Sequence, residues 1–420
     1  PSASGIYNNQ HWWKPNRPNL VTLPEHFRNN GYIASGAGKI FHHTVGNNPP
    51  AIWDEYHRLV FNDDAFSRSA GRYLTLYPFT KSQPVPKEFP YCGIKLYSSE
   101  VDWGVLPKPE NMMDDFQTVR HCTNFLERKH TKPFFLACGI FHPHLPWYVP
   151  KKYLDQYPTD QIRLPAAPPD DLNDIPKAGQ KIALRKNQDL QKVQDAKKWK
   201  TAVAHYLASI TYADARIGQL LKGLDQSGYA KNTIIILWSD HGWHLGEKEH
   251  WHKRTLWHVC TRVPFIVVAP GIGKSQQRSN RPVSLLDIYP TLIELCDLSK
   301  QPELDGISLV PLLRNPRAPR EQPAITVSEE WHASVVDDRY RYIRYRDGTE
   351  ELYDRKSDPH EWKNRAADPS LKAVKERLAG FVPQKWAAPA LGKKAFRFNP
   401  QTYTWKHKKT GRVIKGGRNP

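Results

Sequence analysis

Three short runs of the chain are largely apolar, and each breaks into a knot of lysine, histidine or aspartate. Tyr32 to Ala37 leads into Gly38-Lys39-Ile40-Phe41-His42-His43. Pro133 to Ile140 leads into Phe141-His142-Pro143-His144-Leu145-Pro146, and Thr233 to Trp238 into Ser239-Asp240-His241-Gly242. A strand apolar on both faces must be covered on both, whereas a strand open to water on one side alternates. Amphipathic stretches lie between the runs. Thr22-Leu23-Pro24-Glu25 is a capping box with proline in the first turn and predicts a helix to about Asn30. Asp114 or Asp115 is predicted to cap a helix whose face holds Phe116, Val119, Cys122 and Leu126. Thr201 to Gly223 places Val203, Leu207, Ile210, Ile217 and Leu220 at helical spacing, and Ser284 to Cys296 does so with Leu285, Ile288, Leu292 and Leu295. Val263 to Ala269 adds a further strand. Strand and helix thus alternate, which predicts an α/β fold: a mostly parallel central sheet sandwiched by helices.

After about residue 320 the pattern changes. Arg339 to Arg346 alternates, Asp347-Gly348 is a turn signal, and Glu351-Leu352-Tyr353 returns as a second strand, followed by a helix from Leu371 to Leu378. The expected organisation is an α/β domain over 1–318, a smaller C-terminal α+β subdomain with an antiparallel sheet over 319–390, and a basic tail over 391–420. From Lys393 onward there are nine Lys or Arg and no Asp or Glu, which reads as a solvated end. Residues 44–110 read as irregular, and 151–198 as a long surface excursion.

Composition narrows the function classes. No apolar run approaches the eighteen or more residues of a membrane span. The net charge of +19 calls for an anionic partner, whether nucleic acid, lipid or a sulfated or phosphorylated substrate. Five widely spaced cysteines form no Cys-x-x-Cys pair, so neither a zinc ribbon nor a disulfide scaffold is indicated.

In an open parallel sheet the carboxyl ends of the strands share one edge, where ligands bind. Lys39 with His42, His142 with His144, and Asp240 with His241 are therefore expected to meet. Lys253, in Glu249-His250-Trp251-His252-Lys253, is expected to fold back over the same edge. An aspartate is a hard oxygen ligand for a divalent cation. Lysines and histidines supply charge and donors to a tetrahedral oxyanion, and a histidine near a leaving oxygen can act as general acid. Sulfate and phosphate esters both fit.

These residues resemble a known family. Gly38-Lys39-x-Phe41-His42, Phe134-Phe135-Leu136-Ala137 with His142-x-His144-x-Pro146, and Ser239-Asp240-His241-Gly242-Trp243-x-Leu245-Gly246-Glu247 with Trp251-x-Lys253 are similar to type I sulfatases of the alkaline phosphatase superfamily. The likeness is to the iduronate-2-sulfatase-like branch. Thr261 to Ile266, Asp287-Ile288-Tyr289-Pro290-Thr291-Leu292, and Glu351 to Asp354 with Asp358-Pro359-x-Glu361 carry it further, so that it spans about residues 20 to 390. The resemblance implies a sulfuric ester hydrolase with one divalent cation, Ca2+, bound by Asp240 and His241. It implies that Lys39, His42, His144 and Lys253 contact the sulfate, with His144 and Lys253 near the leaving oxygen. It also implies a sulfated carbohydrate as substrate rather than nucleic acid, and a periplasmic or secreted location.

The family's nucleophile is a formylglycine made from Cys or Ser in a C/S-x-P/A-S-R motif, and an Asp-Asp pair after the first strand completes its metal site. Neither occurs in these 420 residues, and Ser67-Arg68 follows Phe66 and fails the pattern. The expectation is therefore that the chain begins just downstream of the nucleophile, or else has lost catalysis, and that it is inactive as it stands with an exposed strand edge. Two other readings compete. A two-zinc phosphodiesterase of the superfamily would need an Asp-x-x-x-His pair, yet Asp214 is followed at that distance by Gly218 and Asp287 by Thr291. A non-catalytic binder of sulfated glycans would use the same cations together with the basic tail.

Overall fold

The computed structural model describes residues 1–42, 44, 46–57, 91–96, 101–106, 109–185, 189–301 and 303–417. Most of the irregular stretch expected over 44–110 lies outside them. The chain forms two units that interleave in sequence. One comprises 9–164, 186–231 and 391–420; the other comprises 1–8, 165–185 and 232–390.

The first unit is built on a parallel sheet. Strand β1 (Ile33–Gly38) lies between β2 (Glu55–His57) and β4 (Phe134–Gly139), parallel to both. Helix α1 (Leu23–Asn29) starts at the expected capping box, where the Glu25 carboxylate accepts from the Thr22 amide at 3.3 Å. Its buried Phe27 packs on Tyr32 and on Phe135 of β4. Helix α2 (Asp114–Glu127) buries Val119, Cys122 and Leu126 as its spacing predicted. The two aspartates do not cap it, however. Met113 is the N-cap, and both carboxylates are buried inside the first turn. A shorter parallel pair joins β3 (Trp103–Val105) to β5 (Trp147–Val149), matching Trp103 with Trp147.

Helix α3 (Trp199–Gln226) covers the expected stretch, but its buried face differs. Ile210 is 40% exposed, while Ala202, Ala208, Tyr212 and Ala213 are buried. Small residues there let α2 come close, and a methyl group on Gly223 would overlap the Thr123 side chain of α2. Counting only large apolar residues therefore finds the wrong stripe.

In the second unit, β6 (Ile235–Trp238) pairs antiparallel with β9 (Phe265–Val268), joining Ile235 to Val268 and Trp238 to Phe265. The strand leading to Asp240 is thus part of an antiparallel ladder, unlike β1 and β4. An apolar run fixes neither direction nor burial: Ile235 to Leu237 are half-buried and Trp238 is 45% exposed, against the buried strand its composition predicted. Between these strands a small ladder pairs β7 (His244–Leu245) with β8 (Trp251–His252). Beyond them α4 (Ile288–Leu295) follows the Ser284 cap.

The C-terminal part of this unit is the expected antiparallel sheet, β10 (Ala324–Val327), β11 (Ala333–Val336), β12 (Tyr340–Arg344) and β13 (Glu350–Asp354) in that order. Gly348, at φ 84°, makes the turn between β12 and β13. Helix α5 (Lys372–Ala379) lays Leu378 on Val335, Tyr342 and Leu352. The α/β class with an added antiparallel sheet is the architecture the sequence pattern called for.

Residues 391–420, expected as a solvated tail, are instead folded through residue 417 and belong to the first unit. Strands β14 (Phe396–Asn399), β15 (Thr404–His407) and β16 (Val413–Lys415) form an antiparallel meander. Its inner face sets Phe396, Phe398, Trp405 and Ile414 against Trp12. The charge count masked this alternation of aromatic with basic residues.

Candidate active site

Strands β1 and β4 end together, with Gly38 opposite Gly139. The Lys39 amide then donates to the Gly139 carbonyl at 2.7 Å, so the ladder continues one residue into the polar segment. A methyl group on Gly139 would overlap the backbone of Lys39, and this close approach requires glycine. Lys39 and the 140–146 loop therefore sit on one carboxyl edge, as parallel pairing demands.

His42 lies three residues beyond Lys39. Its Nδ1 is 3.3 Å from the Asn9 side-chain nitrogen, which can only donate. Nδ1 is then the acceptor, and Nε2 carries the hydrogen. His42 thus presents an N–H donor even when neutral, the form an oxyanion needs. Asn9, an unsignalled residue 33 positions upstream, sets this tautomer.

The loop after β4 is anchored by the Asp115 carboxylate, one of the two expected to cap α2. Asp115 is 1% exposed and accepts from the Phe141 amide at 2.6 Å and the His142 amide at 3.0 Å. It also faces His142 Nδ1 at 2.6 Å, and His142 Nε2 meets the Tyr148 carbonyl at 3.1 Å. Both nitrogens of His142 face oxygen acceptors, and the ring is buried, so its role is to hold the loop. The neighbouring Asp114 is fully buried; desolvation and the Asp115 charge push its carboxyl well above the usual range.

His144 is half-buried, with its ring against Phe141. Its Nδ1 lies 2.7 Å from the Leu145 carbonyl, an acceptor only, so Nδ1 carries a hydrogen. His142 and His144, two residues apart in one motif, are thereby divided: the first holds the loop by both ring nitrogens, the second contacts it through Nδ1.

Asp240, His241 and Lys253 belong to the second unit. The Asp240 side chain is exposed, and its carboxylate lies 3.7 Å from His241 Nε2. His241 Nδ1 donates to the Gly242 carbonyl at 2.8 Å, which leaves the Nε2 lone pair on the Asp240 side. That donor set suits one edge of a cation site. It does not make a whole one, because Ca2+ takes six to eight oxygen ligands. Among the described residues no three His, Cys, Asp or Glu side chains gather as a metal cage requires.

Lys253 extends over the Trp243 ring at 5.8 Å. Its carbonyl is 3.1 Å from Nε2 of the buried His250, whose Nδ1 contacts the Ala183 carbonyl at 2.6 Å. His244 is fully buried between the Glu247 carbonyl and the Thr255 hydroxyl. Desolvation lowers its ring to about 3 and that of His250 to about 4. The ring nitrogens of both are engaged in holding the turn.

This turn is tied to the C-terminal sheet by buried charge. Lys248 and Asp171, each 2% exposed at the side chain, pair at 2.6 Å, and Lys248 also donates to the Glu361 carbonyl. The Glu361 carboxylate takes Arg341 at 2.5 Å and the His258 amide at 2.7 Å. Trp257 donates to Glu351 at 2.8 Å. The motif Asp358-Pro359-x-Glu361 thus reads as a brace for the segment bearing Lys253.

Comparison with known proteins bears on the chemistry of these groups. The sulfatase family pattern matches residues 1–298, and that of the N-sulphoglucosamine sulphohydrolase C-terminal region matches 246–385. A sulfatase of Formosa agariphila is 36% identical over 399 residues, covering 91% of this chain and 74% of that protein. Human iduronate 2-sulfatase is 27% identical over 414 residues, covering 89% of this chain and 71% of its own. A solved structure in complex with its substrate D-glucosamine-2-N,6-O-disulfate shares the fold at 19% identity, with a TM-score of 0.67 over 90% of this chain and 83% of that one. No helix among the described residues is long and apolar enough to cross a membrane. The strand-end lysine and histidines, the Asp-His-Gly turn and the C-terminal sheet are the parts that these matches span, and the chain belongs to the sulfatase family, the sulfuric ester hydrolases.

Proposed function

We propose that the protein acts on sulfate esters of a sulfated glycan, in the manner of the iduronate-2-sulfatase-like branch. The observation that carries this reading is the pairing of β1 with β4, which sets Lys39 beside the loop of His144 on one sheet edge. Lys39 and Lys253 would neutralise the sulfate charge, and His42 would donate through Nε2. His144 would pass a proton from Nε2 to the leaving oxygen, its Nδ1 kept on the Leu145 carbonyl. Asp240 and His241 would be ligands to one Ca2+ ion, with the remaining ligands coming from elsewhere. When bound, a divalent cation polarises the ester oxygens. The formylglycine nucleophile of this reading is not among these 420 residues, so they supply binding and proton transfer only. A periplasmic or secreted location goes with the same reading, as does a carbohydrate partner rather than nucleic acid.

The test is sulfate release from a 2-O-sulfated glycosaminoglycan disaccharide, with binding of the same compound measured by titration calorimetry. The disaccharide is expected to bind these 420 residues and to release no sulfate above background. Normal turnover would refute the need for a formylglycine. Absence of binding would refute the sulfate site itself. Metal analysis of the protein adds a separate check: one calcium supports the reading, and two zinc ions would move it to the phosphodiesterases.

A further inference from the structure

We infer that the outer face of the C-terminal meander binds a sulfated polysaccharide. The register sets Arg397 of β14 directly across from Lys406 of β15, and Lys415 of β16 joins them on the same side. All three are exposed, as are Lys408, Lys409 and Arg412 in the hairpin between β15 and β16. Like charges directly opposite in a ladder repel. The C-terminal sheet of the other unit shows the ordinary solution, with Arg344 opposite Glu350. No such answer exists here, because residues 391–420 contain no Asp or Glu. None of these six side chains makes an ion pair among the described residues.

The meander nevertheless folds, because its other face is aromatic. Phe396, Phe398, Trp405 and Ile414 point at Trp12, while Arg397, Lys406, Val413 and Lys415 point away. Adjacent strands stand about 4.8 Å apart and alternate residues about 6.8 Å, so the cations form a two-dimensional array rather than a single point charge. Such an array matches a polymer carrying several anions better than one small ion. The aromatic side chains that stack bases in single-stranded nucleic-acid sites lie on the inner face, away from the cations. That arrangement favours a polymer recognised by charge alone. The choice of sulfate as the anion rests on the proposed function.

The experiment measures heparin binding to the whole chain across a salt series, without turnover, so its outcome does not depend on whether the chain hydrolyses anything. The triple variant Arg397→Gln, Lys406→Gln, Lys415→Gln is expected to bind heparin at least tenfold more weakly near physiological salt. The slope of log K against log salt is expected to fall by about two to three, one for each lost contact. An unchanged melting temperature and near-ultraviolet signal from Trp405 shows the meander still folded. If the triple variant loses its fold, the single variant Lys406→Gln, expected to lose threefold with a slope change near one, carries the test. Unchanged affinity and slope would overturn the proposal and leave these cations as protection of strand edges. Single-stranded DNA binding as tightly as heparin, with the same loss in the variant, would also overturn it in favour of nucleic acid. N- and O-desulfated heparin is expected to lose the binding.

Discussion

Replacing Asp115 with alanine removes the anchor of the loop that carries His144. Its carboxylate is 1% exposed and accepts three hydrogen bonds, from the Phe141 and His142 amides and from His142 Nδ1. Alanine leaves all three donors buried without an acceptor, and it leaves the His142 ring opposite nothing. Each buried donor stripped of its partner costs about 1–3 kcal/mol. These costs overlap, so about 4 kcal/mol is expected rather than the sum. That is a large part of the 5–15 kcal/mol that stabilises a typical domain. The assay is urea unfolding followed by tryptophan fluorescence. Trp147 is a local reporter, since it is buried and its indole donates to the Pro143 carbonyl at 2.9 Å, inside the same loop. With a slope of about 2–3 kcal/mol per molar urea, the midpoint should fall by about 1.3–2 M. Asp115→Asn keeps the shape and one or two acceptor contacts, so about half the loss is expected. A midpoint shift below 0.2 M for the alanine variant would refute the assignment of Asp115 as anchor (about 0.5 kcal/mol at that slope).

Three further outcomes follow from the geometry. Gly139→Ala places a methyl group in the Lys39 backbone and is expected to cost about 1–3 kcal/mol by overpacking, with amide hydrogen exchange speeding up at the Lys39 end of β1 before it does at Ile33. Glu361→Gln leaves Arg341 buried without a counter-charge, so about 3 kcal/mol of stability should be lost, and the double variant with Arg341→Met should recover part of it in a thermodynamic cycle. Burial holds His205, His250 and His258 at about 4 and His244 at about 3, against about 6.5 when unfolded. Unfolding near pH 5 should therefore take up about three to four protons from this source. Stability is fully present above about pH 6.5 and declines as pH falls toward 4. A urea midpoint that stays flat from pH 7 to pH 5 would contradict that burial.

How much of this was legible in the sequence depended on the kind of information each residue carried. The apolar runs gave the positions of β1, β4 and β6, although only β1 is buried along nearly its whole length and Trp238 of β6 is 45% exposed. The Thr22 to Glu25 box gave the start of α1, because capping is local chemistry written in four residues. Pairing direction was not legible, and β6 joined β9 antiparallel although its composition matches that of β4. The Asp114-Asp115 pair misled because a carboxylate at a helix start suits both a cap and a buried anchor. Only the return of the chain at Phe141 and His142, more than twenty residues later, decides between them. Asn9 left no sign at all, since its effect on His42 acts through one contact between distant residues. The meander was hidden in a different way. Period-two alternation was present in Phe396, Arg397 and Phe398, but nine cations without an acid drew attention to solvent rather than to the aromatic face beneath.

The binding claim turns on Lys39 and His144 serving one anion at the shared end of β1 and β4. The dissociation constant of a 2-O-sulfated disaccharide for the wild-type chain, set beside those for Lys39→Ala and His144→Ala, tests it most directly. Loss of one charge-assisted hydrogen bond is worth about 1.5–3 kcal/mol, so each variant should bind at least tenfold more weakly. The double variant should lose less than the product of the two, because both groups act on one sulfate. Equal affinity in all three proteins would contradict the account.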